Sequence, residues 1–353
     1  MTNIFITGAS GWIGSAVTDE LLANGYSVTG LARSDESAAA LEAKGAQVHR
    51  GSLDDPDTLA TAAKAADGVI HLAFKHDFSD YAGAGHTEHA TVEAMLTAIE
   101  GTDKPFLLAS GLVGDVTGRP FTEDDANPNH GPDSMRGGSE NLALGYADRG
   151  VRPVALRFAA SVHGEGGDHG FVAVLSSSAR QHGVAGYIGD GRNRWPAVHR
   201  ADAAQMVRLA LEKAPAGFRA HAAAEEGIPT REIAEAIGRR LGLPTASIDP
   251  AEAADHFGWI STFFGFDAWA SSEKTRNTLG WTPHGPDPAG RHRLGRLRRL
   301  TRTTGSSAGV TSRCALRSSP SYRLRWPCRR RRRRPPRTPS AGDGGCGCRR
   351  GPP

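Results

Sequence analysis

Eight consecutive residues near the N-terminus, Thr7-Gly8-Ala9-Ser10-Gly11-Trp12-Ile13-Gly14, carry the most specific chemical signal in this 353-residue chain. Glycines at three-residue spacing let a main chain turn tightly and come close to a charged ligand. Gly8 allows the turn, Gly11 lets a pyrophosphate approach the backbone, and Gly14 lets the next segment pack close to it. Other groups could move protons. Ser110 ends an apolar run, and His163, Glu165, Asp168 and His169 share a glycine-rich stretch. Histidine suits proton transfer because its unperturbed pKa lies near neutrality; the alternative for this stretch is a solvated turn. Lys75-His76-Asp77 forms a further cluster that reads as a charged surface loop. None of these has the spacing of a metal site.

The elements around the glycines give them meaning. Ile4-Phe5-Ile6 reads as a buried strand, while Ile13, Val17 and Leu21 recur along one helix face. Asn24-Gly25 closes that helix. The glycines therefore sit on a strand-to-helix turn, where free N–H groups and the helix dipole favour phosphate, and the pattern points to a dinucleotide. Further strands are predicted at 27–31, 47–50, 68–72, 105–109 and 153–157, with helices at 36–44, 56–66 and 86–100 between them. Such alternation marks a doubly wound parallel sheet, which binds ligands beyond the carboxyl ends of its strands. Arg33-Ser34, Ser52-Leu53, Leu72-Ala73-Phe74 and Ser110-Gly111 all fall at those ends. A polar loop is expected over 112–132, a helix over 134–149, a loop over 161–169 and less regular structure over 244–283.

Charge divides the chain. From Pro286 onward there are 19 Arg, no Lys and only Asp287 and Asp343, leaving 23 basic and 36 acidic residues before that point. The acidic body has no general attraction for nucleic acid or anionic membrane. All four cysteines (Cys314, Cys328, Cys346 and Cys348) also lie in the tail, so the body has no disulfide framework. The 286–353 segment, with its Arg329–Arg334 run, has the composition of a disordered, frameshifted product of a GC-rich gene; a nucleic-acid tail is the competing reading. No apolar run is long enough to span a membrane and the first strand begins at once, so a cytoplasmic protein is expected.

Five motifs in order resemble the extended short-chain dehydrogenase/reductase superfamily, in its NAD(P)-dependent epimerase/dehydratase group. They are TGASGWIG (7–14), VIHLAF (69–74), LRFAASVHGEG (156–166), WPAVHRADAA (195–204) and LGWTP (279–283). The resemblance covers roughly residues 1–283. It implies an α/β fold, a doubly wound parallel Rossmann sheet of about seven strands with a small C-terminal substrate lobe. Residues 1–160 would form the NAD(P)-binding core, and 161–285 the remaining core segments plus the lobe. The implied cofactor residues are Thr7, Gly8, Ser10, Gly11, Trp12, Ile13 and Gly14 of the loop, Arg33 and Ser34, Ser52 and Leu53 near the adenine, and Leu72, Ala73 and Phe74 along the ribose. Family members selecting NAD usually carry an acid at the end of strand two. Here Arg33 stands in that place, so NADP(H) is expected to be preferred, with NAD(H) also possible.

The catalytic pattern departs from the family. No Tyr or Lys occurs between 111 and 145, where the resemblance implies a Tyr-x-x-x-Lys pair. That place falls near Pro132-Asp133 and Arg136-Gly137, with Glu140 matching a glutamate that often follows. Arg136 stays protonated and cannot relay a proton as Lys does. Ser110, His163 and His169 remain as candidate catalytic residues, whereas His71 and His199 read as packing residues. The expected function is an NAD(P)-dependent oxidoreductase or epimerase-like enzyme on a small metabolite with non-standard proton-transfer groups. A non-catalytic NADP(H)-binding sensor that answers through a partner is the alternative, and an oligomer is possible.

Overall fold

A computed structural model describes residues 1–76, 80–112, 118–165 and 170–285. Asp77, Asp168, His169 and the whole 286–353 tail, with the disorder expected of it, lie outside the described residues. The elements run β1 (Asn3–Thr7), α1 (Trp12–Ala23), β2 (Ser27–Ala32), α2 (Asp35–Glu42), β3 (Gln47–Arg50), α3 (Pro56–Ala65), β4 (Gly68–His71), α4 (Tyr81–Ala98), β5 (Pro105–Gly111), α5 (Ser139–Leu144) and β6 (Arg152–Phe158). Then come β7 (Ser161–His163), α6 (Phe171–His182), β8 (Ala185–Ile188), β9 (Arg194–His199), α7 (Arg200–Lys213), β10 (Phe218–Ala222), β11 (Glu225–Pro229), α8 (Thr230–Leu241) and β12 (Thr245–Ile248). Three short helices follow, α9 (Ala253–Phe257), α10 (Ser261–Phe264) and α11 (Glu273–Leu279).

Seven strands form the central sheet in the order β10-β6-β5-β4-β1-β2-β3, with every neighbouring pair parallel. Side chains alternate across a strand, so β1 buries Ile4 and Ile6 on one face and Phe5 on the other. The first face packs with Val17 and Leu21 of α1 and Val207 of α7. The second packs with Leu59 of α3 and Val92 and Leu96 of α4. A sheet covered on both sides explains the nearly unbroken apolar runs of β1, β4 and β5. Strand order reverses at β1, between β4 and β2, which makes their carboxyl ends the natural ligand crevice.

A smaller cluster holds the lobe together: Leu175 of α6, Trp195 of β9, Ile233 and Ile237 of α8, and Phe257 and Phe264. Trp195 and Phe264 meet edge-on with ring centroids 5.1 Å apart, worth about 0.5–1.5 kcal/mol beyond burial. This lobe carries a two-stranded sheet (β12-β8) and borders a three-stranded one (β11-β9-β7).

Two expectations need correction. The helix predicted over 134–149 does not form as one piece. Arg136, Gly137 and Gly138 all adopt left-handed backbone, with φ of 53°, 57° and 59°, so α5 begins only at Ser139. The loop predicted over 161–169 starts as a strand, because β7 pairs in parallel with β9 from Ser161 to His163. No helix among the described residues is long and apolar enough to cross a membrane.

Candidate functional site

The glycine turn follows β1 at the strand-order reversal. Gly8 has φ +70°, and a side chain there would lie 2.8 Å from the Ala73 nitrogen. A Cβ on Gly14 would come within 2.0 Å of the Gly8 carbonyl oxygen, so α1 can start this close to β1 only with glycine. The turn is closed by the Gly11 N–H, which donates to the Gly8 carbonyl at 2.9 Å. Gly11 is the N-cap of α1 and has no side chain to occupy the helix's first N–H groups. Thr7 ties the two strand ends together: its hydroxyl accepts from the Ala73 N–H (3.2 Å) and is hydrogen-bonded to His71 Nδ1 (2.8 Å). Burial, reinforced by the charge of Arg136, pushes His71 down to about 3, so its ring is neutral and structural. These residues fit a dinucleotide. Exposed main-chain donors face the crevice, and the close approach of three backbone segments leaves no room for extra carbons.

At the end of β2, Arg33 is exposed and makes no ion pair among the described residues. Asp35, the nearest acid in sequence, is paired with Arg50, and Ser34 caps α2 through a reciprocal bond with Ser37. Ser52 Oγ accepts from the Asp54 N–H at 3.0 Å, and Asp54 in turn pairs with Lys75. Leu53 is buried, its carbonyl bonded to Thr91 of α4.

Two buried charge networks occupy the ends of β5 and β6. Ser110 donates to Glu140 Oε2 at 2.6 Å, and Asn127 donates to the same oxygen at 3.2 Å. Arg157 donates to Glu140 Oε1 through Nη2 (2.6 Å) and Nε (3.1 Å). Burial works to raise the Glu140 pKa, but the bonds and charge of Arg157, with Ser110 and Asn127, outweigh it and hold the carboxyl below its ordinary range. Arg157 also reaches His221 Nε2 at 3.3 Å, and Phe121 stacks on that imidazole. His221 is pushed down to about 3, chiefly by burial.

The second network centres on Arg136. Its Nε donates to Glu88 Oε2 at 3.0 Å and its Nη2 to Glu88 Oε1, while the guanidinium lies 4.6 Å from the Phe74 ring centroid. Burial pushes the Glu88 carboxyl up, opposed by Arg136. Arg136 itself stays above its ordinary value because Glu88 outweighs the effect of burial. Ser110, Glu88, Arg136, Ser139 and Glu140 line a narrow cavity of about 30 Å³.

His163 sits elsewhere, edge-on to His199 with centroids 5.6 Å apart. Burial and then His199 push its pKa down from the unperturbed 6.5 to about 4, so at neutral pH its ring is neutral and only weakly basic. His199 Nδ1 accepts from the Ala201 N–H at 3.2 Å and caps α7. Of the three proton-transfer candidates, Ser110 lines the cavity, His163 belongs to the β7–β9 pair, and His169 lies outside the described residues. Glu88, Arg157 and His221 escaped the sequence reading. The signal was an ion inside an apolar pattern: Arg157 interrupts a buried strand, and Glu88 shares the inward face of α4 with Ala84, Thr91 and Val92.

A sequence profile of the NAD dependent epimerase/dehydratase family matches residues 4–222. The chain is 46% identical over 281 residues to an uncharacterized protein of Schizosaccharomyces pombe, covering 79% of this chain and 94% of that one. It is 43% identical over 282 residues to an uncharacterized protein of Saccharomyces cerevisiae, with the same coverage. Among solved structures, the dTDP-glucose 4,6-dehydratase DesIV of Streptomyces venezuelae, with NAD bound, superposes with a TM-score of 0.66 at 20% identity. That match covers 84% of this chain and 96% of the dehydratase.

Proposed function

From the premise that this chain belongs to the NAD dependent epimerase/dehydratase family, we propose that it is a nicotinamide-dependent oxidoreductase or epimerase-like enzyme that prefers NADP(H). The observation that carries the preference is Arg33, an exposed cation at the end of β2 with its neighbouring acids, Asp35 and Asp54, engaged by Arg50 and Lys75. An exposed guanidinium suits a 2′-phosphate, and each charge-assisted hydrogen bond contributes roughly 1.5–3 kcal/mol. Titrating Arg33→Ala with both cofactors tests this. NADP(H) affinity is expected to fall while NAD(H) affinity barely moves; an equal loss of both overturns the preference.

A bound nicotinamide supplies or accepts hydride. The chain's own part is to manage the charge and proton that accompany it on a small-molecule oxygen. Arg136 offers a cation fixed by Glu88 and lining the same cavity as Ser110, suited to holding negative charge as it develops. Ser110 directs its proton to Glu140, so its oxygen is left to accept a hydrogen bond from a substrate hydroxyl. Neutral His163 is a second acceptor, at the β7 end. With a carbonyl and alcohol panel, NADPH oxidation or NADP reduction that falls in Ser110→Ala or Arg136→Met supports the enzyme reading.

One observation favours a non-catalytic NADP(H) sensor as the second reading. The place of the Tyr-x-x-x-Lys pair holds Pro132 and Arg136 instead, so the usual proton donor is missing there. Micromolar NADPH binding with no turnover across the panel would select that reading.

A further inference from the structure

We propose that Arg200 is a phosphate-binding residue of the dinucleotide site, lying over the glycine turn to hold the cofactor's pyrophosphate. The proposal rests on the dinucleotide reading above and adds a residue from the fourth of the five motifs, 195–204. Arg200 opens α7, immediately after β9, and its guanidinium lies 4.4 Å from the ring centroid of Trp12. Trp12 is the first residue of α1, directly after Gly11. Its indole cannot swing freely, because Nε1 donates to the Val162 carbonyl of β7 at 2.8 Å. Trp12 is thus a fixed platform, and the stacked Arg200 is a cation held at the mouth of the turn.

Three further facts make this placement a liability unless an anion joins it. Arg200 makes no ion pair among the described residues. It stands at the first position of a helix, where the dipole disfavours a positive charge. Asp202, the acid of that first turn, accepts instead from the backbone N–H groups of His284 (3.1 Å) and Gly285 (2.8 Å). The chain has also made room for the side chain. At Gly164 a Cβ would lie 3.0 Å from both Cγ and Cδ of Arg200, so any larger residue would push the stem off its course. A dinucleotide pyrophosphate, drawn to the uncapped N–H groups of α1, supplies the missing negative charge beside Trp12. A guanidinium fork matches it in geometry and stays ionised at every accessible pH.

The test is equilibrium binding to the full chain, with NADPH, ADP-ribose, adenosine 2′-monophosphate and UDP as probes. Arg200→Met keeps the aliphatic stem and Arg200→Lys keeps the charge without the fork. Arg200→Met is expected to weaken ADP-ribose and NADPH by about 10- to 100-fold, the effect of losing one charge-assisted hydrogen bond, while adenosine 2′-monophosphate is unchanged. Arg200→Lys is expected to fall between. Arg33→Ala gives the opposite pattern, losing adenosine 2′-monophosphate but not ADP-ribose, which separates the two arginines. Unchanged ADP-ribose affinity in a folded Arg200→Met variant overturns the proposal and leaves the function standing. A loss confined to UDP measured at saturating NADPH assigns Arg200 to a substrate diphosphate, and also overturns it. If the wild-type chain binds neither NADPH nor ADP-ribose, both readings fall together.

Discussion

Glu140→Gln removes one charge and keeps the shape of the side chain, at the centre of the network below Ser110. The side chains of Glu140 and Arg157 are only 3% and 1% exposed, so solvent cannot replace the lost partner. Arg219 Nε lies 3.7 Å from the same carboxylate, so the substitution leaves two guanidinium groups around a neutral amide. Breaking a buried pair from one side costs about 3–5 kcal/mol, because a charge is left uncompensated. At about 2–4 °C per kcal/mol for a domain of somewhat smaller size, the melting temperature is expected to fall by roughly 6–20 °C at pH 7. Replacing both partners, Glu140→Leu with Arg157→Met, is expected to cost much less than the sum of the single changes. The sign of the pH dependence follows from the depressed Glu140 pKa. Its contribution is present above the ordinary 4.5 and is lost as pH falls through the lower folded value. The gap between wild type and Glu140→Gln should therefore close in acid. Urea unfolding across pH 7 to 3 measures it. A loss under about 1 kcal/mol at pH 7, the size of an exposed pair, or a gap that widens in acid, refutes the reasoning.

Acid should also act through buried neutral imidazoles. His71, His163 and His221 are held at about 3, 4 and 3 against an ordinary 6.5, so the unfolded chain takes protons that the fold refuses. Stability is then full above pH 6.5 and falls below it, approaching about 4 kcal/mol per pH unit where all three differ; a urea midpoint that holds steady from pH 7 to 5 contradicts this. Gly14→Ala places a methyl 2.0 Å from the Gly8 carbonyl, where only backbone can yield. NADPH affinity should drop at least about tenfold, equivalent to 1.4 kcal/mol. Gly25→Ala, at φ +83° in open space, is a control that costs stability without weakening the cofactor.

The cofactor half of the site was legible because its signal is local. A strand, three glycines and a helix lie within residues 3–23, and the backbone geometry of that turn depends on the glycines themselves. The sheet was legible for a similar reason, since β1, β4 and β5 each sit between two apolar helix faces. The charge networks beside it were legible only in part: Ser110, Arg136 and Glu140 stood out, while their partners Glu88 and Arg157 did not. Glu88, Arg136, Glu140 and Arg157 come from four separate elements, and nothing in the spacing of a lone buried ion names its partner. The broken helix at 136–138 was missed because Gly137-Gly138 was read against the periodicity of its flanks. Left-handed backbone at Arg136 depends on a partner 48 residues away, Glu88, that no local window contains.

The left-handed run at Arg136-Gly137-Gly138 bears on the ancestry of the site. A Tyr-x-x-x-Lys pair needs a right-handed helix to carry both side chains on one face, and a segment coiled the other way cannot present one. Changing Arg136 to Lys would remove the fork that grips Glu88 without restoring the helix. Rebuilding the helix would carry Gly137 away from its seat, where a Cβ would lie 2.3 Å from the Gly85 carbonyl. Each reversal alone passes through a less stable chain, so the two differences are mutually entrenched. A chain holding both has little access by single steps to a Tyr-x-x-x-Lys helix at this place.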